Sequence, residues 1–272
     1  RYAKLLSCII AERPAAVFLG GDLLPSHLAR LARGNSSPEE FIADHLVPEF
    51  SKIRGEMGGE YPGIFLILGN DDPRSAEEEI ERGASLGLWR YIHGRKALAH
   101  AYPVFGYAYV PPTPFRLKDW ERYDVSEFVD PGCIHPTGGW RTVPVTEREI
   151  KLSTIKNDLE NLAGADDLSN AIMMFHSPPY RTCLDRAGLD GMSVDHAPLD
   201  VHVGSIAVRE FIEKRQPLVT LHGHVHESAA ITGSWRERIG RTEMFTAAHD
   251  GPELALVRFS PSEPSAATRE LL

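Results

Sequence analysis

Apolar positions along the chain recur with two periods. Leu5, Leu6, Ile9 and Ile10 fall at helical spacing and predict a helix from Tyr2 to Glu12. Pro14 ends that pattern, and Ala15–Leu19 is a short continuous apolar run of the kind a buried strand shows. Equivalent runs at Ile64–Leu68, Ala171–Phe175 and Pro217–Leu221 predict three more buried strands. Helices are expected between them. One starts at Ser37-Pro38-Glu39-Glu40 and continues through Phe41, Ile42, Leu46 and Phe50. An acidic one spans Ser75–Leu86, and one spans Thr146–Leu162, with Glu149 three residues after Thr146. Another runs from Gly204 or Ser205 to Arg215. Residues 88–110 read as short strands and turns. The tail over 228–260 alternates apolar and polar residues, as antiparallel strands do, at Glu243–Ala247 and Leu254–Phe259. Strand–helix alternation followed by β-rich segments predicts a layered α/β fold.

Two stretches lack sustained periodicity. Residues 111–145 are rich in proline and aromatic side chains, and residues 180–203 are irregular. Both are expected to be lid-like insertions in a single domain over 1–272. Phe115, Trp120, Tyr123 and Trp140 are expected to pack as lid core.

Composition narrows the function. The 272 residues are 42% hydrophobic and 25% charged, which is ordinary globular usage. The net charge of −9 argues against a nucleic-acid partner, which wants a basic face. The longest apolar runs hold about 4–5 residues against the ~20 of a membrane helix, so no membrane partner is expected. Three well-separated cysteines, Cys8, Cys133 and Cys183, form no CxxC and suit a reducing, cytoplasmic location.

The chemistry gathers at strand ends. The four apolar runs stop at Asp22, Asn70, His176, and the pair His224 and His226. In open α/β sheets, ligands collect beyond the carboxyl ends of the strands, so these endings are expected to converge. One carboxylate, one amide oxygen and three imidazoles suit Mn, Fe or Zn better than Mg or Ca. A carboxylate can bridge two such ions, which clamp a phosphoryl group and lower the pKa of a bridging water. Gly21 and Gly69 permit a sharp turn after the strand, and Gly223 permits close approach of His224. His224 and His226 alternate with Val225, so in extended chain both would face one side. Gly-Asp and Gly-Asn are also ordinary turn chemistry, and His27, His45, His93, His100, His135 and His196 read as surface or loop histidines.

Gly-Gly-Asp at 20–22, Gly-Asn-Asp at 69–71, His176 after a strand and Gly-His-Val-His at 223–226 resemble motifs two to five of the calcineurin-like metallophosphoesterases. The similarity runs over roughly residues 15–260. The His-x-Pro-Pro at 176–179 and the stretch from His202-Val203-Gly204-Ser205 to His224 are most similar to uncharacterised prokaryotic phosphoesterases. The resemblance implies a four-layer α/β/β/α sandwich with two divalent transition ions, manganese favoured. Asp22 would bridge both ions. Asn70, His176 and His224 would complete the second site and His226 would bind at the first. The implied activity is hydrolysis of a phosphomonoester or phosphodiester by a metal-bridged hydroxide.

Two departures from the family shape the expectations. The first motif, Asp-x-His, is absent upstream of Asp22, and the chain opens at Arg1 inside a helix. A preceding strand carrying that motif is therefore expected to be missing from this sequence. The third motif has Asp71 where many members place a histidine. An aspartate beside two cations should stay ionised and is a poor acid. His222, then His202, then His249 are the replacement candidates. This tilts the expected substrate toward diesters with good leaving groups. Arg181 and His202 are the candidate substrate-binding residues for a small phosphate ester, and a homodimer is the default for any oligomer. The alternative is a catalytically degenerate member that serves as a binding or scaffold protein. A metallo-β-lactamase type of centre would need a His-x-His-x-Asp-His run, which is absent.

Overall fold

The computed structural model describes residues 1–25 and 37–272, so the expectation for His27 lies outside the described residues. The fold is α/β, with one parallel sheet and one mixed sheet. β1 (Ala16–Gly20), β2 (Gly63–Ile67) and β3 (Arg90–Tyr91) form a parallel sheet in the order β1-β2-β3. Ala16 lies opposite Gly63 and Gly20 opposite Ile67, so β1 and β2 end level with one another. The parallel centre of the second sheet is β5 (Tyr102–Tyr107), β6 (Ile172–Phe175), β9 (Val219–His222) and β11 (Thr242–Thr246). β4 (Arg95–Ala99) and β10 (Arg236–Ile239) close its edges antiparallel, giving the order β10-β11-β9-β6-β5-β4. All four residues of β6 are buried, which explains its unbroken apolar run.

Helices cover the sheets by burying one stripe each. α1 (Tyr2–Glu12) buries Leu5, Leu6 and Ile9. The helix over 38–57 starts in a capping box between Ser37 and Glu40 and passes through a π turn at Ile42–Leu46. It buries Ile42, Leu46, Phe50 and Ile53. The helix expected over 146–162 is in fact two, Glu147–Leu152 and Ile155–Ala163. Thr154 breaks it by capping the second helix, its hydroxyl accepting from the Asn157 N–H. The Ile155 N–H donates to the Tyr123 carbonyl instead of continuing the first helix.

The segment over 111–145 contains no helix or strand, and that over 180–203 only the two-residue pairing of β7 (Ser193–Val194) with β8 (Ala197–Pro198). Carboxylates hold both in place. Asp119 accepts the N–H groups of Arg74 and Thr142, and Asp185 accepts those of Arg181, Thr182 and Gly204. A buried Lys118–Glu121 ion pair also bonds Thr113. The aromatic expectation holds for half the group. Trp120 and Tyr123 are buried, whereas Phe115 and Trp140 are 61% and 53% exposed.

An apolar slot of about 750 Å³ lies beside β1. Val17, Phe18, Leu19, Leu254, Leu256 and Phe259 line it, with the Phe18 and Phe259 rings stacked. Leu256 and Phe259 belong to β12 (Ala255–Ser260), which pairs with β13 (Glu263–Leu271). Among the described residues β1 and β12 each pair on one edge only. The slot reaches Asp22, His224 and His226. Among the described residues no helix is long and apolar enough to cross a membrane.

One steric constraint is directly testable. In the helix Glu77–Ser85, a Cβ on Gly83 would overlap the Trp89 indole. Alanine in a helix ordinarily adds about 1 kcal/mol over glycine. Gly83→Ala should instead lower stability by about 1–3 kcal/mol, read from urea unfolding.

Candidate metal centre

The level ends of β1 and β2 place Asp22 and Asn70 side by side, and β6 and β9 bring His176 and the 223–226 turn to the same point. His176 is 1% exposed. Its Nδ1 donates to the Gly20 carbonyl at 2.8 Å, so Nε2 faces the cluster. Nε2 lies 3.2 Å from Asp22 Oδ2 and 3.0 Å from Asn70 Oδ1. His224 Nδ1 lies 2.6 Å from the same Asn70 oxygen. His226 Nε2 stands 3.5 Å from Asp22 Oδ2. Asp22 Oδ1 accepts the Asp71 N–H at 2.9 Å. Asn70 Nδ2 donates to Asp71 Oδ1, which turns the amide oxygen toward the two imidazoles.

The backbone is unusual where it carries these groups. Asp22 and His224 have φ of 52° and 70°, left-handed values uncommon outside glycine. The pairing of His224 and His226 on one side therefore does not come from extended chain, because residues 223–226 form a turn after β9. The turn brings His224 Nδ1 to Asn70 and the half-exposed His226 to Asp22. Gly21 and Gly69 are needed for space, since a Cβ on either would overlap His176 and one on Gly69 would also overlap Asp22.

Electrostatics close the cluster around a proton. Burial opposes charge on His176, but the Asp22 carboxylate and the Gly20 carbonyl overcome it and raise its pKa to about 9. Burial likewise opposes charge on Asp22. His176, His226 and the Asp71 N–H outweigh it and hold the carboxyl well below its usual range. Burial and the neighbouring His176 cation push His224 down to about 3. Burial and the Asp22 charge raise Asp71. Among the described residues no group of three or more His, Cys, Asp or Glu side chains is arranged to hold a metal ion. The donors of the cluster bond to one another, with Nε2–H of His176 between two oxygens.

The other predicted residues lie apart from these contacts. His222 is buried against Phe175, with Nδ1 on the Ser177 carbonyl and Nε2 on the Thr220 hydroxyl. Burial lowers it to about 4, so at neutral pH its single ring proton sits on Nδ1, donated to the Ser177 carbonyl, and neither nitrogen is free. His202 Nδ1 donates to the buried Asp185 at 2.8 Å. The Arg181 guanidinium lies over the Tyr180 ring, and His249 pairs with Glu253. None of these four hydrogen-bonds to the cluster. Sequence reasoning gave no role to Asp72, which is fully buried next to Asp71. Its signal was a second carboxylate directly after a strand-end motif.

The fold and this strand-end cluster define an α/β protein with imidazole and carboxamide donors at one pole. The fold is shared with TT1561 of Thermus thermophilus, whose crystal structure matches with a TM-score of 0.55. The match covers 98% of this chain and 91% of that one at 14% identity. Over 108 residues the chain is 33% identical to the uncharacterized protein MJ1162 of Methanocaldococcus jannaschii. That stretch is 39% of this chain, and the chain spans only 43% of the length of this curated relative. No family model matches the chain.

The coupled pair sets a pH window for the chelator-treated protein. His176, raised from 6.5, contributes stability that is complete below about pH 6.5 and lost as pH rises toward 9. Asp22, depressed from 3.8, contributes stability present above about pH 4 and lost in acid. His224 and His222, depressed from 6.5, act in the opposite sense below pH 6.5, so the pair is read by mutation: His176→Gln should remove the part of the fall in melting temperature in EDTA between about pH 6.5 and 9 that this imidazole contributes.

Proposed function

We propose that this chain is a metal-dependent phosphoesterase and that the cluster beyond β1, β2, β6 and β9 is its metal centre. The carrying observation is that Asp22, Asn70, His176, His224 and His226, from four separate strand ends, meet within hydrogen-bond range or close to it. The donor chemistry fits a borderline transition ion, manganese before iron or zinc. Asp22, Asn70, His176 and His224 would hold one ion once His176 gives up its Nε2 proton. Asp22 and His226 alone are too few for a second.

The slot beside β1 supports a further part of the reading. Residues of β1 and β12, each paired on one edge only among the described residues, line it, and it reaches Asp22 and His226. An extended apolar segment leading into α1 would pair with both edges by the right-handed crossover that parallel strands require. Its carboxyl end would supply the remaining ligands of a dinuclear centre. The result would be the four-layer α/β/β/α sandwich of the metallophosphoesterases, in one domain that includes residues 1–272.

When bound, such ions supply an activated water and neutralise charge on the phosphoryl oxygens. The chain's own residues do the rest. The Gly20 carbonyl fixes the His176 tautomer and Asp71 orients Asn70. Among the described residues no imidazole outside the five proposed ligands hydrogen-bonds to the cluster, which favours a small phosphodiester with a good leaving group over a poor one. The free thiols Cys8, Cys133 and Cys183 accord with a cytoplasmic location.

Turnover of bis(4-nitrophenyl) phosphate with Mn²⁺ tests the reading. Activity that needs the ion and falls at least about 100-fold in His224→Ala is expected, the scale of losing a main transition-state contact. Unaltered turnover in that variant would end the proposal. Absence of turnover in a chain extended upstream of Arg1 would favour the scaffold alternative.

A further inference from the structure

Asp72 has no exposed surface, and its carboxylate hydrogen-bonds backbone N–H groups rather than any of the five cluster side chains. Its oxygens accept three backbone N–H groups. Oδ2 takes Leu23 at 3.1 Å and Gly69 at 2.9 Å, and Oδ1 takes Leu24 at 2.8 Å. Leu23 and Leu24 directly follow Asp22, and Gly69 directly precedes Asn70. One buried carboxylate thus ties together the two loops that carry these residues. The tie also matters for the strained φ of Asp22, because pinning the next two N–H groups leaves that residue little freedom to relax.

We infer that Asp72 is a positioning residue that sets the distance between Asp22 and Asn70 and so preorganises the ion site; this rests on the metal-centre reading above. Asparagine is close in shape but offers an NH₂ where one oxygen accepts, so at least one of the three N–H groups would be left buried and unpaired.

The test compares Asp72→Asn with Asp124→Asn. Asp124 is likewise buried and accepts the N–H groups of Ile206 and Ala207, at the start of the helix Ile206–Arg215. Mn²⁺ affinity should weaken about 10–100-fold in Asp72→Asn, the usual effect of disturbing a group behind the ligands, and should stay unchanged in Asp124→Asn. In metal-free protein, amide exchange over residues 22–24 and 69–71 should accelerate in Asp72→Asn alone. If that variant does not fold, Asp72→Ser, which keeps one acceptor, replaces it with the same expectations. Wild-type affinity in the Asp72 variant, or an equal loss in Asp124→Asn, would overturn the inference. If the wild type itself takes up no Mn²⁺, the metal-centre reading fails, and the exchange experiment alone decides. Unchanged exchange would then refute the positioning role.

Discussion

The contact between the Asp22 carboxylate and the His176 imidazole joins the first sheet to the second at the pole where the chemistry collects. Asp22 leaves β1 and His176 leaves β6, and their side chains are nearly buried. Two opposite charges out of water are tolerable only when geometry and further hydrogen bonds satisfy them. The neighbours supply those bonds: the Gly20 carbonyl on one nitrogen, Asn70 Oδ1 beside the other, and the Asp71 N–H on the carboxylate. Gly21 and Gly69 clear the space and the left-handed backbone at Asp22 aims the carboxylate. With Nε2 protonated, His176 bridges the Asp22 carboxylate and the Asn70 amide oxygen.

A second constraint runs through the irregular parts of the chain. Backbone N–H groups outside helices and strands still need partners when buried. Four buried aspartates answer that need, each accepting two or three main-chain donors. Asp72 ties the loops after β1 and β2, and Asp119 ties residues 74 and 142. Asp124 starts the helix Ile206–Arg215 from within the 111–145 segment, and Asp185 gathers residues 181–204. Such anchors let long segments without regular structure hold fixed positions around the pole.

The parts of this arrangement legible in the sequence are those with a local signature. Short apolar runs located β1, β2, β6 and β9 within a residue or two; β2, β6 and β9 are buried almost throughout, as expected, whereas every residue of β1 is only partly buried beside the slot. The polar residue ending each run located the cluster. What escaped reading depends on partners distant in sequence. Thr154 breaks a helix because Tyr123 takes the next N–H. His222 is withdrawn from chemistry because Ser177 and Thr220 occupy both its nitrogens. His224 turns left-handed where alternation suggested extended chain, and Asp72 acquires meaning only when Leu23, Leu24 and Gly69 are seen around it.

The central claim is that the cluster is a cation site now closed by the His176 proton. Calorimetric titration of chelator-stripped protein with Mn²⁺ near pH 7.5, in two buffers of different ionisation enthalpy, tests it most directly. Uptake of the ion should be accompanied by release of close to one proton per ion, and Asp22→Ala should abolish both. Binding without proton release, or binding that survives in Asp22→Ala, would place the ion elsewhere and contradict the claim.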